Sequence, residues 1–303
     1  MTTHHIDPPT EAPVVVGIDG SEVGAPAVRW AAETAAARNR RLRIVHAVDL
    51  TAAHILLDPY ELPMASVTEA MRDFSADCLA AARRLAQAVD PALVIETATV
   101  DGTPAPVLVK ESTTAHLITL GAAGLSGGGL FGSTLLAVAA HAHGLVVVVR
   151  GSEPEQPSRD SGPVVVGIDD SDSSHAAVGA AFAEACERHT ELVVVHCWSD
   201  LRFGWFAGLP DLLDSRSAQA DAHELITEQL AGWTDKYPHI AVERKVYLSG
   251  PSHHLIDWSR SAQLVVVGNR GRGGFPGLQL GSTSNALIQC GQCPIMIVHP
   301  RSG

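Results

Sequence analysis

The chain has no apolar run of 18 or more residues, so no membrane-spanning helix is expected. Residues Met1 to Ala12 are polar and lack the basic start and apolar core of a secretory signal. A cytoplasmic protein is the expectation. Positive charge is scarce: 21 Lys and Arg stand against 33 Asp and Glu, a formal net charge of -12. That balance argues against nucleic acid as the main partner. It leaves room for a small anion, because main-chain N–H groups at helix starts hold phosphates without a basic domain. A P-loop is excluded, since no G-x4-G-K-[ST] occurs. Five cysteines, an odd number and expected to be buried in apolar contexts, give no disulfide framework. Cys78, Cys186 and Cys197 lack metal-ligand spacing. Cys290-Gly291-Gln292-Cys293 spells C-x-x-C, yet Cys293-Pro294 opens a strand, whereas a thioredoxin-like pair follows a strand and opens a helix.

What the chain does have is the same text twice. Pro13-Val14-Val15-Val16-Gly17-Ile18-Asp19 returns as Pro163-Val164-Val165-Val166-Gly167-Ile168-Asp169. Leu120-Gly121-Ala122-Ala123-Gly124 with Gly132-Ser133-Thr134 is matched by Val267-Gly268-Asn269-Arg270-Gly271 with Gly281-Ser282-Thr283. Two homologous copies therefore sit end to end, which fits the roughly two domains expected for 303 residues. The expected domains are residues 1–152 and 163–303, joined by a polar, Ser- and Pro-rich linker at 151–162. Each half is long enough to bury roughly 68–70% of its unfolded surface without disulfides.

Within each half short Val-rich runs alternate with Ala-rich amphipathic stretches. The first half reads as strand Val14–Asp19, a helix capped near Ser21 and running to about Arg38, and strand Leu42–Val48. An irregular stretch with Pro59 and Pro63 follows, then a helix from about Ser66 to Val89, and strand Leu93–Val100. A helix opening at Pro104, strand His116–Leu120, a glycine-rich loop, a helix near Ser133 and strand Leu145–Val149 complete it. Val23, Ala27, Val28, Trp30 and Ala31 offer the buried stripe of the first helix. The second half repeats the order, with helices over 173–188, 214–235, 251–261 and 282–290. This alternation predicts an α/β protein of two tandem, open, doubly wound domains, each with a five-stranded parallel sheet. Ligands in such sheets sit at the carboxyl ends of the strands, where the winding reverses.

The sharpest motif is Gly268-x-x-Gly271, nine residues, then Gly281-Ser282. Glycines allow a ligand close to the backbone. The N–H groups of Gly281, Ser282 and Thr283 at a helix start, with two hydroxyls, can meet phosphate oxygens. The bland alternative is that the glycines only make turns and Ser282 only caps a helix. At this motif the chain resembles the universal stress protein family, whose ATP-binding members carry G-x2-G-x9-G-(S/T) between the fourth strand and fourth helix. The resemblance spans essentially the whole chain as a tandem form, including Val195-His196-Cys197 and the closing Cys293-Pro294-Ile295-Met296-Ile297-Val298. It implies an adenine nucleotide alpha hydrolase-like fold and an ATP site at Gly167, Asp169, Cys197, Gly268, Arg270, Gly271, Gly281, Ser282 and Thr283. In that site Asp169 holds the adenine or ribose edge, Cys197 lines the adenine slot and Arg270 covers the ribose or phosphates. The matching residues of the first copy are Gly17, Asp19, Ala47, Gly121, Gly124, Gly132, Ser133 and Thr134. There only seven residues separate Gly124 from Gly132 and Ala123 replaces Arg270, so weaker ATP binding is expected in the first site. The resemblance further implies that strands Leu145–Val149 and Pro294–Val298 pair the domains, and that two chains form a homodimer.

Other signals are weaker. Gly127-x-Gly129-x-x-Gly132 spells a dinucleotide fingerprint but follows the fourth strand rather than the first. His46 and His196 recur at one strand end, as expected of a repeated structural hydrogen bond. Mg²⁺ could reach Asp19, Asp169 or Asp170 through ATP and water. The function implied is a nucleotide-dependent regulator of stress or growth adaptation; the alternatives are a slow Mg-dependent ATPase or nucleotidyl-transfer enzyme on the same site, and a scaffold with degenerate sites.

Overall fold

Val14, Val15 and Val16 have no exposed surface, as β-branched residues do in a strand covered on both faces. They open β1 (Val14–Ile18). The computed structural model describes residues 11–57, 63–122, 132–151, 161–199, 215–272 and 279–300. The chain divides into two compact units, Met1–Gln156 and Pro157–Gly303.

In the first unit β1 leads through a 3-10 turn (Glu22–Gly24) to α1 (Ala25–Ala37), β2 (Leu42–Val48), α2 (Leu50–Leu57), α3 (Met64–Val89) and β3 (Ile95–Asp101). Then come α4 (Pro104–Ser112), β4 (Leu117–Gly121), α5 (Ser133–His141) and β5 (Leu145–Val149). The strands pair in parallel in the order β3-β2-β1-β4-β5. The winding therefore reverses between β1 and β4. Helices α1 and α3 pack together, as do α4 and α5, the two helical layers that a doubly wound sheet carries.

The second unit repeats the plan with β6 (Val164–Ile168), α6 (Asp172–Glu187), β7 (Leu192–Ser199), α7 (Ser215–Leu230), α8 (Trp233–Lys236) and β8 (Val242–Ser249). It closes with α9 (Pro251–Trp258), β9 (Leu264–Gly268), α10 (Ser282–Cys290) and β10 (Ile295–Val298). Its parallel order is β8-β7-β6-β9-β10. The repeat extends to register: Val14 faces Leu42 and Leu117, and Val164 faces Leu192 and Leu264.

Gly17 and Gly167 are shaped by packing as well as by the cleft. A Cβ on Gly17 would come within 2.9 Å of Leu108 and Leu120, and one on Gly167 within 2.7 Å of Leu255. Each glycine lets the helix that follows the third strand of its unit press a leucine against the first strand.

Several local expectations are corrected. The stretch after β2 is not irregular throughout, since it contains α2. Val23 is 46% exposed and lies in the 3-10 turn, outside the buried stripe. Ser21 makes no capping bond; its hydroxyl donates to Asp19 instead. Helix α7 stops at Leu230, because Gly232 (φ 79°) breaks the turn before α8. Helix α9 stops at Trp258. Of the cysteines only Cys197 and Cys293 are buried; Cys290 is exposed, and Cys78 and Cys186 are half-buried.

One position in the first sheet departs from its repeat. The buried hydroxyl of Thr119 has no hydrogen-bond partner among the described residues, and register places Val266 at the matching point of β9. An unmet buried hydroxyl costs about 1–3 kcal/mol. Thr119→Val is expected to stabilise the first unit by about 1 kcal/mol, read as a higher urea midpoint with an unchanged slope.

Candidate functional site

In the second unit the turn after β6 brings Asp169 into place. Its Oδ1 accepts the Ser171 N–H at 3.1 Å and the Ser171 hydroxyl at 2.5 Å. Ser171 caps α6, accepting the Ser174 N–H. Ser174 Oγ accepts the Asp169 N–H at 3.0 Å and donates to Gln229 Oε1 at 2.9 Å, while the Gln229 amide donates back to the Asp169 carbonyl. The carboxylate is thus aimed by helices α6 and α7 together. Its other oxygen, Oδ2, reaches across the switch point and accepts the Arg272 N–H at 2.9 Å. Gly271 has no side chain because the carboxylate lies there: an added Cβ would sit 2.4 Å from Asp169 Oδ2.

The glycine loop that follows β9 is tied down at both ends. Gly281 N–H, expected to face phosphate, instead donates to the Asn269 carbonyl at 2.8 Å and closes the loop, which leaves the Ser282 and Thr283 amides for an anion; Asn269 Oδ1 accepts from Ser173 at 2.8 Å. Ser284 Oγ donates to the Gly268 carbonyl at 2.7 Å. Gly281 precedes α10 in an extended conformation without a side-chain cap. The first-turn N–H groups of such a start are free of intrahelical partners. Arg270 extends over this edge, its guanidinium held by the Gln279 side chain. Together Gly167, Asp169, Cys197, Gly268, Arg270, Gly271, Gly281, Ser282 and Thr283 line one cavity of about 220 Å³. Every site residue expected of the second copy is in it.

In the first unit Gly17, Asp19, Ala47, Gly121, Gly132, Ser133 and Thr134 line a second cavity, of about 720 Å³. Gly124 lies outside the described residues. Asp19 Oδ1 accepts the Ser21 N–H and hydroxyl at 3.0 and 2.6 Å, the same turn as at Asp169. At the end of β2, Asp49 accepts the Ala52 N–H at 2.9 Å and the Thr103 hydroxyl at 2.8 Å. The Ala52 N–H and the Thr103 hydroxyl hold the Asp49 carboxyl below its ordinary range. The wall also contains residues that the motif does not mark: Val67, Ala70, Met71 and Phe74 of α3, and Leu108 of α4. Their signal in the sequence was the spacing i, i+3, i+4, i+7, which reads equally as a core-facing stripe.

The two recurring histidines do not repeat one hydrogen bond. His46 Nδ1 meets Ser75 Oγ at 2.8 Å, and Ser75 Oγ meets Thr99 Oγ1 at 2.7 Å. His196 Nδ1 instead meets the Ile168 carbonyl at 3.0 Å. Position 75 falls on α3, so the repeat of β2 alone could not show the difference. Burial pushes the His46 imidazole below 6.5, against a smaller opposite pull from Asp19. A histidine held neutral in the fold contributes its stability above the unfolded value and loses it as pH falls. His46→Gln is expected to flatten the loss of stability below pH 6.5, followed by urea midpoints at several pH values. His254, also pushed down by burial, leaves a residual slope in the variant. Among the described residues no group of three or more His, Cys, Asp or Glu side chains could hold a metal. Among the same residues no helix is long and apolar enough to cross a membrane.

Two stretches, 12–150 and 161–299, match the family model described as "Universal stress protein family". The chain belongs to the universal stress protein family. A universal stress protein of Mycobacterium tuberculosis H37Rv is 36% identical over 291 residues, covering 94% of this chain and 96% of that protein. One from Mycolicibacterium smegmatis is 33% identical over 299 residues, covering 96% of this chain and 98% of its own length. Among solved structures, a universal stress protein from Archaeoglobus fulgidus aligns over 96% of this chain and 97% of its own with a TM-score of 0.67 at 16% identity. That likeness bears on the fold, which is the adenine nucleotide alpha hydrolase-like arrangement of family members.

Proposed function

We propose that this universal stress protein binds ATP in the second unit, at the cavity between the tips of β6 and β9, and acts as a nucleotide-dependent regulator. The observation that carries this reading is convergence. The carboxylate of Asp169, the glycine loop from Gly268 to Gly271 and the helix start at Gly281–Thr283 surround one 220 Å³ cavity, although they lie about a hundred residues apart in sequence. The amides and hydroxyls at the start of α10 suit phosphates. Asp169 accepts from ribose or adenine donors, and Cys197 supplies an apolar wall. Arg270 neutralises phosphate charge once it leaves Gln279. Magnesium enters with ATP, since the described residues offer it no cluster of their own.

Regulation follows from the contact between Asp169 and Arg272. A nucleotide that takes over the Asp169 carboxylate releases the loop, and one that fits beneath the loop holds it closed. Either way the nucleotide shifts a population of loop states. The test is calorimetry of ATP, with magnesium, against the full chain. Binding in the micromolar range is expected, together with adenine nucleotide in the small molecules freed by denaturing freshly purified protein. No heat and no released nucleotide would overturn the reading.

A further inference from the structure

The two strand-tip cavities differ in size and in lining. The first unit's cavity, at about 720 Å³, is more than three times the 220 Å³ of the second. It takes in the strand-tip cleft, with Asp19, Gly121 and Ser133, and a gallery of apolar side chains along α3, where Val67, Ala70, Met71 and Phe74 follow one another at helical spacing. Leu108 of α4, in the other helical layer, lines the cavity as well and presses on Gly17. Phe74 is half exposed and turns its edge to His46, with ring centroids 6.0 Å apart. Met71 adds a pliable thioether that adapts to irregular apolar shapes.

Charge separates the two sites further. The first cavity is lined by two carboxylates, Asp19 and Asp49, and by no lysine or arginine among its described lining residues. The second cavity has Arg270 in its wall. A triphosphate brings several negative charges, which a wall of like charge repels. An apolar group in the gallery gains instead from leaving water.

We propose that the first unit is a separate site for an adenylate of low charge that carries an acyl chain. The adenosine lies in the strand-tip cleft and the chain lies along Val67, Ala70 and Met71. The proposal rests on the nucleotide reading of these clefts and adds the ligand class for one of them. A drug-sized ligand ordinarily occupies a pocket of roughly 300–1,000 Å³ lined mainly by apolar side chains with a few polar groups, and the first cavity has that character.

The test compares 5′-O-sulfamoyladenosine with its N-decanoyl derivative, a stable mimic of an acyl adenylate, by calorimetry on the full chain. Each methylene buried is worth about fourfold in affinity, so a partly seated chain is expected to tighten binding by at least about tenfold. Met71→Gln and Ala70→Trp, the first polar and the second filling the gallery at an exposed position, are expected to abolish that gain. Both are expected to leave sulfamoyladenosine within about threefold of wild type and ATP binding at the second unit unchanged, which also reports folding. If both probes bind equally to wild type, or if the gain survives both variants, the proposal is overturned while the nucleotide reading stands. If neither probe nor ATP binds, both fall together.

Discussion

Gly268→Ala is expected to destabilise the second unit by about 3 kcal/mol, near the upper end of what overpacking costs in a close-packed interior. The glycine ends β9 against the first turn of α6. An added Cβ would stand 2.6 Å from Ser173 Cβ, 2.8 Å from its carbonyl carbon and 2.9 Å from its carbonyl oxygen. Two of these atoms are backbone, so no rotamer change relieves the contact. Moving the helix would also disturb the Ser173–Asn269 hydrogen bond that anchors the glycine loop. Hydrogen exchange over β9 and α6 should rise by about two orders of magnitude, with β1 and β4 unaffected. Gly132→Ala in the first unit is the control: among the described residues nothing lies within 4 Å of the Cβ it would add, and the backbone φ of -57° suits alanine. The two glycines hold different motif places, the first glycine after the fourth strand and the glycine before the following helix, and only the former is required by packing against described atoms. Unchanged exchange in Gly268→Ala would show that α6 yields to the new methyl group.

Asp169→Ala is expected to weaken ATP binding at the second unit by about a hundredfold, or about 2.7 kcal/mol. The carboxylate accepts from Ser171 on one side and from Arg272 on the other, and hydrogen bonds to a charged group contribute about 1.5–3 kcal/mol each. Its loss removes the nucleotide's polar partner and leaves the loop at Arg272 without its anchor. Asp169→Asn, which keeps an acceptor, should fall between the two. Asp19→Ala, in the other unit, should leave this tight binding untouched. Calorimetry on the three variants checks the order, and equal affinity for wild type and Asp169→Ala would remove the carboxylate from the site.

Much of the framework was legible because its causes are local. Val-rich runs at fixed distance from Ala-rich stretches marked the ten strands of the described residues to within a few residues, and repetition of the text doubled each signal. Helix α2 was missed because Leu50–Leu57 is apolar without a polar face of helical period, and Pro59 and Pro63 nearby read as breakers. The break before α8 turns on one left-handed glycine, Gly232, inside an otherwise acceptable helical text. At the cleft, glycine, aspartate and hydroxyl positions could be named because the same residue types recur in both copies. Two features were out of reach. The carboxylate of Asp169 fills the space that makes Gly271 a glycine, a relation between segments a hundred residues apart. The stripe from Val67 to Phe74 borders an open cavity rather than the core, and only tertiary packing decides which of the two an apolar helical face meets.

Leu108 and Leu255 have a consequence for how the duplicated halves can diverge. Each leucine occupies the space a side chain would need at the glycine opposite, Gly17 or Gly167, and each sits on a helix that begins with proline, Pro104 or Pro251. Neither member of such a couple can drift alone: a larger residue on the strand is tolerated only after the leucine has shrunk, and a shrunken leucine leaves a hole until the strand residue has grown. The couple is thereby locked against stepwise change in both halves.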